Sequence, residues 1–176
     1  MERQQASEGE IRAEPTLGSH VARIAGVLAS DGFPTADRAS LRRMAPGQPP
    51  PLAFYRFAIR YLPEGWEHAL PDWITLVASM ALMAPGIHRP DRGLGKALAE
   101  SGYSEARLER LLAAEGDTLR SLLMRAARFL ASKSAPFNWN DGARMILTRD
   151  NHRRERIRLR VARDFYSQTF NQKKSN

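Results

Sequence analysis

Apolar positions recur along this chain at helical spacing, in runs separated by proline and glycine. Val21, Ile24, Ala25 and Leu28 fall at i, i+3, i+4 and i+7, which predicts an amphipathic helix over residues 19–29. Asp31-Gly32-Phe33-Pro34 stops it. A short helix is expected over 35–44, ended by the proline-rich stretch 46–51, and an aromatic-rich helix over 52–62. Residues 63–71 read as a loop. Residues 73–84 are nearly all apolar, with Asp72 placed to cap them; a helix with no polar face belongs at the centre of a core. Beyond the Pro/Gly loop 85–93, helices are expected over 94–100, 105–114 and 118–133, with Ser104 and Asp117 as N-caps. Leu119, Leu122, Leu123, Ala126, Ala127 and Leu130 give the last of these a broad apolar face. Pro136 ends it, and a short helix over 138–148 precedes a long basic one. No stretch alternates with a period of two for long enough to make a strand. The pattern predicts an all-α fold, a compact bundle of about seven to nine helices. A single domain over residues 17–170 is expected, between a mobile polar tail, 1–16, and a short C-terminal tail, 171–176.

Charge changes this picture at one end. The chain has 27 Lys+Arg and 19 Asp+Glu, a net of +8. Residues 144–176 hold ten of the former and three of the latter, +7, which leaves residues 1–143 nearly neutral. Such concentration points to a polyanionic partner. At about 100° per residue, Arg153, Arg156, Arg160 and Arg163 share an arc of roughly 80°. Ile157, Val161, Phe165 and Tyr166 share a neighbouring arc, so one face can pack while another presents guanidinium groups. Arg153 to Arg163 spans about 15 Å of axis, the length of four to five phosphates along one strand. Arginine suits phosphate because its planar fork donates two parallel hydrogen bonds and stays charged. The bland alternative is a solvated face partly paired with Glu155 and Asp164. Arg158 falls inside the apolar arc, as a cap on a core edge or a subunit contact.

Other chemistry is thinly represented. No cysteine is present, so there is neither a disulfide framework nor a thiolate metal site. His20, His68, His88 and His152 are scattered without ligand spacing; His88 beside Asp91 reads as a solvated or hydrogen-bonding pair. Gly93-Leu94-Gly95-Lys96 only glances at a phosphate loop, which needs glycine where Pro90 stands and a strand before it. No nucleophile motif appears. The expectation is therefore no catalytic residue, no metal and no cofactor. A helix-turn-helix drawn over 105–133 would put a Leu-, Met- and Ala-rich helix in the major groove, where it does not belong. A membrane-surface role for the basic helix would use the apolar side needed to dock it. The N-terminal residues lack the apolar run of a signal peptide, and no apolar run approaches the roughly 18–20 residues of a bilayer span; a soluble, cytoplasmic protein is expected, with no membrane partner.

An ordered set of segments carries a resemblance. It runs from Arg38-Ala-Ser-Leu41-Arg42-Arg43, through a proline-containing linker, an aromatic helix and a buried apolar helix ending near Pro85. It continues with Leu94-Gly-Lys-Ala-Leu98, Glu105-Ala-Arg-Leu-Glu-Arg-Leu-Leu112, Thr118-Leu119-Arg120 and Arg160-Val-Ala-Arg163-Asp-Phe165-Tyr166. In this order they resemble the CasB family, the small subunit of the type I-E CRISPR Cascade surveillance complex. Val161 stands where the family pattern usually has an aromatic residue. The resemblance implies an all-helical, non-catalytic protein that forms a homodimer beside the other Cascade subunits. It also implies partners: guide RNA and target DNA, and the displaced single-stranded DNA. Phosphate contacts would then fall at Arg38, Arg42 and Arg43 and at Arg153, Arg156, Arg160 and Arg163, with Arg128, Lys133 and Arg144 as further candidates. Arg56 and Arg60 point the same way or serve the fold. The competing expectation is a helical adaptor whose arginines bind an acidic protein surface.

Overall fold

The computed structural model describes residues 15–174. The tail expected over 1–16 therefore lies outside the described residues, apart from Pro15 and Thr16. Nine α-helices and one 3-10 turn follow, and among the described residues there is no β-strand, only an isolated parallel bridge between His88 and Phe137. The helices are α1 Leu17–Ala29, α2 Thr35–Arg42, α3 Leu52–Tyr61, α4 Leu70–Leu82, α5 Leu94–Glu100, α6 Glu105–Ala113, α7 Gly116–Ser132, α8 Trp139–Leu147 and α9 Asn151–Lys174. The fold is all-α, as the apolar spacing predicts.

α4 is the hub. Every residue from Asp72 to Ala81 is buried, and α1, α2, α7 and α8 pack around it. The surrounding helices turn single stripes inward: Val21, Ile24 and Leu28 from α1, and Leu123, Ala126, Ala127 and Leu130 from α7. This is why α7 is no recognition helix; its apolar face lies against α4.

The helix starts differ from the expected caps. α4 begins at Leu70 with Pro71 in its first turn, directly after a 3-10 turn, Trp66–Ala69, inside the stretch read as a loop. Asp72 is thus within the helix. It is a buried carboxylate receiving Arg120 of α7 at 2.6 Å and Arg149 of the α8–α9 link at 2.5 Å. Asp117 lies inside α7, bonded to Arg120 at 2.6 Å, and Ser104 occupies the N-cap of α6 without a side-chain bond. Real side-chain caps occur at Thr16, which accepts from the Ser19 N–H at 3.2 Å, and at Asn138, which accepts from the Asn140 N–H at 3.0 Å.

The loop after α4 is tied to the loop before α8. The Arg89 N–H donates to Phe137 O at 3.0 Å and the Asn138 N–H to Arg92 O at 2.7 Å. His88 does not pair with Asp91, which takes Arg89 instead. The His88 Nδ1 accepts the Trp139 N–H at 3.1 Å, and burial lowers the His88 pKa from its ordinary value.

α9 lies across α5, and this is the most extensive helix pairing in the fold. Gly95 permits it: a Cβ there would lie 2.0 Å from Val161 O and 2.9 Å from Phe165 N. Among the described residues of α9, Ile157, Val161 and Phe165 are buried. Tyr166, expected to pack with them, is 37% exposed at the rim of a groove.

Candidate nucleic-acid interface

The C-terminal end of α8, the first half of α9 and the start of α1 enclose a groove of about 480 Å³. Asp150 sets its edge: the carboxylate accepts the Arg153 N–H at 2.7 Å and so starts α9 where the chain leaves α8. Burial of Ile157 and Val161 fixes the rotation of α9, which turns the neighbouring arc outward. Arg144, Arg153, Arg156 and Arg160 line the groove with Leu17, Thr148 and Ile157. Four of the arginines singled out by charge pattern are thus brought together.

Three of these four, Arg144, Arg153 and Arg156, are exposed and make no side-chain ion pair with any described residue. Arg160 is half-buried and bonded to Asp141 at 2.5 Å. Asp141 is itself buried, and its other oxygen accepts the Leu94 N–H at 2.9 Å at the start of α5. This carboxylate, absent from the sequence expectations, holds Arg160 at the groove wall. Its partners are 19 and 47 residues away, so no local pattern points to it. The groove is a concave cluster of four guanidinium groups against one carboxylate. Chemically it suits an extended polyanion: the donors are numerous, permanently charged and set on rigid helices.

The remaining expected positions are dispersed. Arg163 is exposed one turn beyond Arg160, on the same arc but outside the groove lining, with Asp164 near enough to feel its charge. Arg38 donates to Leu28 O at 3.0 Å and Ser30 O at 2.6 Å, closing the end of α1. Arg42 donates to Ala81 O at 2.8 Å and Ala84 O at 3.3 Å, closing the end of α4. These two guanidinium groups already serve as helix C-terminal caps, where cations meet orphan carbonyls. Arg43, Arg128 and Lys133 are exposed on other parts of the surface and pair with no described residue. Arg56 pairs with Asp37 at 2.8 Å, and the Arg60 guanidinium lies over the Tyr61 ring at 5.5 Å. Arg158 donates to Ala114 O and Glu115, a contact at the core edge.

Comparison with known protein families decides the wider context. The model of the CRISPR-associated protein Cse2 family matches residues 37–166, about three quarters of the chain. The chain belongs to the Cse2 (CasB) family. Membership makes it a subunit of the type I-E Cascade complex, in a family of structural subunits. No curated protein gives a significant match to the chain. Among the described residues no helix is long and apolar enough to cross a membrane, and no cluster of three or more His, Asp or Glu could hold a metal ion. The matched region includes α5, α8 and the first two thirds of α9, and so nearly all of the groove; only Leu17 lies before it.

Proposed function

We propose that this subunit grips nucleic acid by its phosphates, through the α8–α9 groove, while Cascade holds guide RNA against target DNA and displaces the other DNA strand. The observation that carries the reading is the convergence of Arg144, Arg153 and Arg156, none of them ion-paired among the described residues, beside the tethered Arg160. Base pairing reads sequence in an RNA-guided complex, and protein contacts fall on backbones, so phosphate-only binding is what such a subunit needs. Arg163, Arg43, Arg128 and Lys133 are outlying phosphate contacts in this reading. Arg38 and Arg42 contribute field more than direct bonds, because their donors are engaged. The site of action is the cytoplasm.

Salt dependence tests it. Each single-strand phosphate contact adds about 0.7 to the slope of log K against log salt. Arg153→Ala with Arg156→Ala should flatten that slope by about 1.4 and weaken every sequence alike. Arg154 and Arg158 are unsuitable as charge controls, since both reach Glu115 at 3.4 Å and help seat α9. Arg23→Ala with Arg89→Ala serves instead; these exposed residues bond to Arg60 O and Asp91 outside the groove. Equal losses in the two double variants would reduce the groove to diffuse charge. Normal nucleic-acid binding with failed Cascade assembly would assign the arginines to an acidic protein surface.

The proposal contains no catalytic step. The purified chain should leave single-stranded DNA, duplex DNA and RNA intact with magnesium, manganese or zinc. Cleavage that survives purification and disappears in a point variant would overturn this.

Two copies pair in the same proposal, and two surfaces support a route. α3 exposes Leu52 at 75% and Ile59 at 79%, flanked by Arg56 and Arg60. Between α6 and α9 lies an apolar groove of about 710 Å³ containing Leu112, Leu159 and Tyr166 and rimmed by three carboxylates, Glu105, Glu109 and Glu155, and one guanidinium, Arg158. An apolar ridge with basic flanks complements an apolar groove with an acidic rim, and apolar patches of this kind mark association surfaces.

A further inference from the structure

α6 separates its charges by face. Leu108 and Leu111 are buried, Glu105 and Glu109 turn toward the α9 groove, and Arg107 and Arg110 turn the other way. There they meet Arg125 of α7 around a cleft of about 310 Å³ floored by Tyr103, Leu122 and Phe129. The Tyr103 and Phe129 rings touch, with centroids 5.2 Å apart, and the Arg107 guanidinium lies 6.0 Å from the centre of the Tyr103 ring. All three arginines are exposed and none makes an ion pair with a described residue. Arg110 bonds only within its own helix, to Ala106 O at 3.2 Å. Among the described residues no carboxylate lines the cleft. Burial raises the Tyr103 pKa while Arg107, Arg110 and Arg125 each pull it back down, so all three charges act on one phenol.

This cleft is apart from the α8–α9 groove. Arg154 and Arg158 reach Ala114 and Glu115, at the α6–α7 junction. They lie across α9 from Arg153 and Arg156, which face α8 and the start of α1. The two arginine sets line separate openings that share no residue.

We propose that Arg107, Arg110 and Arg125 form a second, independent phosphate-binding site that holds a separate segment of single-stranded nucleic acid, so that one chain carries two segments at once. Three unpaired guanidinium groups repel one another until an anion enters between them. The aromatic floor excludes water and strengthens each N–H···O contact made there. The cleft is concave and near the small end of ligand sites, so a flexible strand can bend a phosphate into it, whereas the phosphates of a duplex sit on a convex rod.

The test counts labelled oligothymidylate strands bound per chain at low salt by native mass spectrometry. The wild-type chain should take two. Arg107→Ala with Arg125→Ala should take one, as should Arg153→Ala with Arg156→Ala, and the fourfold variant none. Two strands retained by the Arg107/Arg125 variant would overturn the proposal. One strand on that variant but two on the Arg153/Arg156 variant would sink the α8–α9 groove and leave this site standing. The wild-type chain gives a second readout that needs no change to the arginines. Phosphate in the cleft offsets their charge, so Tyr103 should ionise at higher pH with oligothymidylate bound, the signal being assigned by its loss in Tyr103→Phe. An unmoved Tyr103 ionisation would count against the site. Displacement of the second strand by thymidine monophosphate at equal phosphate concentration would make it a free-anion site, and displacement by polyglutamate an acidic-protein site; either result overturns the strand assignment.

Discussion

Asp164 sits where α9 crosses the start of α5, in a crowded acidic corner. A side-chain carbon at Gly93 would lie 2.8 Å from Asp164 Oδ2 and 3.4 Å from Asp141 Oδ2, so both carboxylates face one glycine. Burial and then the Asp141 charge raise the Asp164 pKa above 3.8; Arg160 and Arg163 oppose the rise. An acid whose pKa is higher folded than unfolded binds more protons in the native state between the two values. Stability from this group therefore falls as pH rises through that window, and the ionised side chain destabilises the fold at neutral pH. Asp164→Asn should raise the melting temperature at pH 7. The gain should shrink as pH drops through the raised pKa and vanish below about 3.8. A pH-independent gain would rule out this electrostatic cause. Single-residue roles were the least legible part of the sequence. Asp72 reads as a cap because it precedes an apolar run, yet its partners are 48 and 77 residues distant. Arg38, Arg42 and Arg43 read as one cluster, but helix geometry sends the first two to different carbonyl sets.

Elements were far more legible, because burial on one face imposes a period that survives in the sequence. The helices expected from apolar spacing all form, within a few residues of their expected ends. Boundaries slip where backbone geometry decides: Pro71 starts α4 early, and a 3-10 turn occupies part of an expected loop. The docking of α9 was not legible, since it rests on Gly95 and on what passes over it. Two glycine substitutions separate local propensity from packing. Gly26→Ala lies on α1 with nothing within 4 Å of the added carbon, so it should stabilise by about 0.5–1 kcal/mol. Gly95→Ala drives a carbon into the α9 backbone and should cost about 1–3 kcal/mol or more, with melting lowered by several degrees and α9 cut faster by protease. Equal effects at both sites would show that α9 is not held by close approach. Leu76→Asp probes the hub. Leu76 is 1% exposed, and an unpaired carboxylate there costs several kcal/mol of a total typically about 5–15. A soluble, normally melting variant would mean that α4 is not the centre of the core.

At the scale of the molecule, the groove of four arginines was half legible. The charge gradient and the α9 stripe stand in the sequence; Arg144, in the last turn of the preceding helix, joins them only through the α8–α9 turn. The pairing surfaces follow another logic. Ridge and groove are different surfaces, so a contact between them is heterologous: one copy in a pair keeps an unused groove and the other an unused ridge. Complementation tests this directly. Ile59→Asp spoils the ridge and keeps the groove; Leu159→Asp does the reverse. Each variant alone should sediment as a monomer at concentrations where the wild-type chain associates. An equal mixture should regain pairs and stop at two, because the remaining ridge and groove are both spoiled. If Leu159→Asp pairs normally alone, ridge meets ridge in a twofold contact instead. If the mixture stays monomeric while both variants keep wild-type melting, the two surfaces do not meet, and Cascade's other subunits are what cover them.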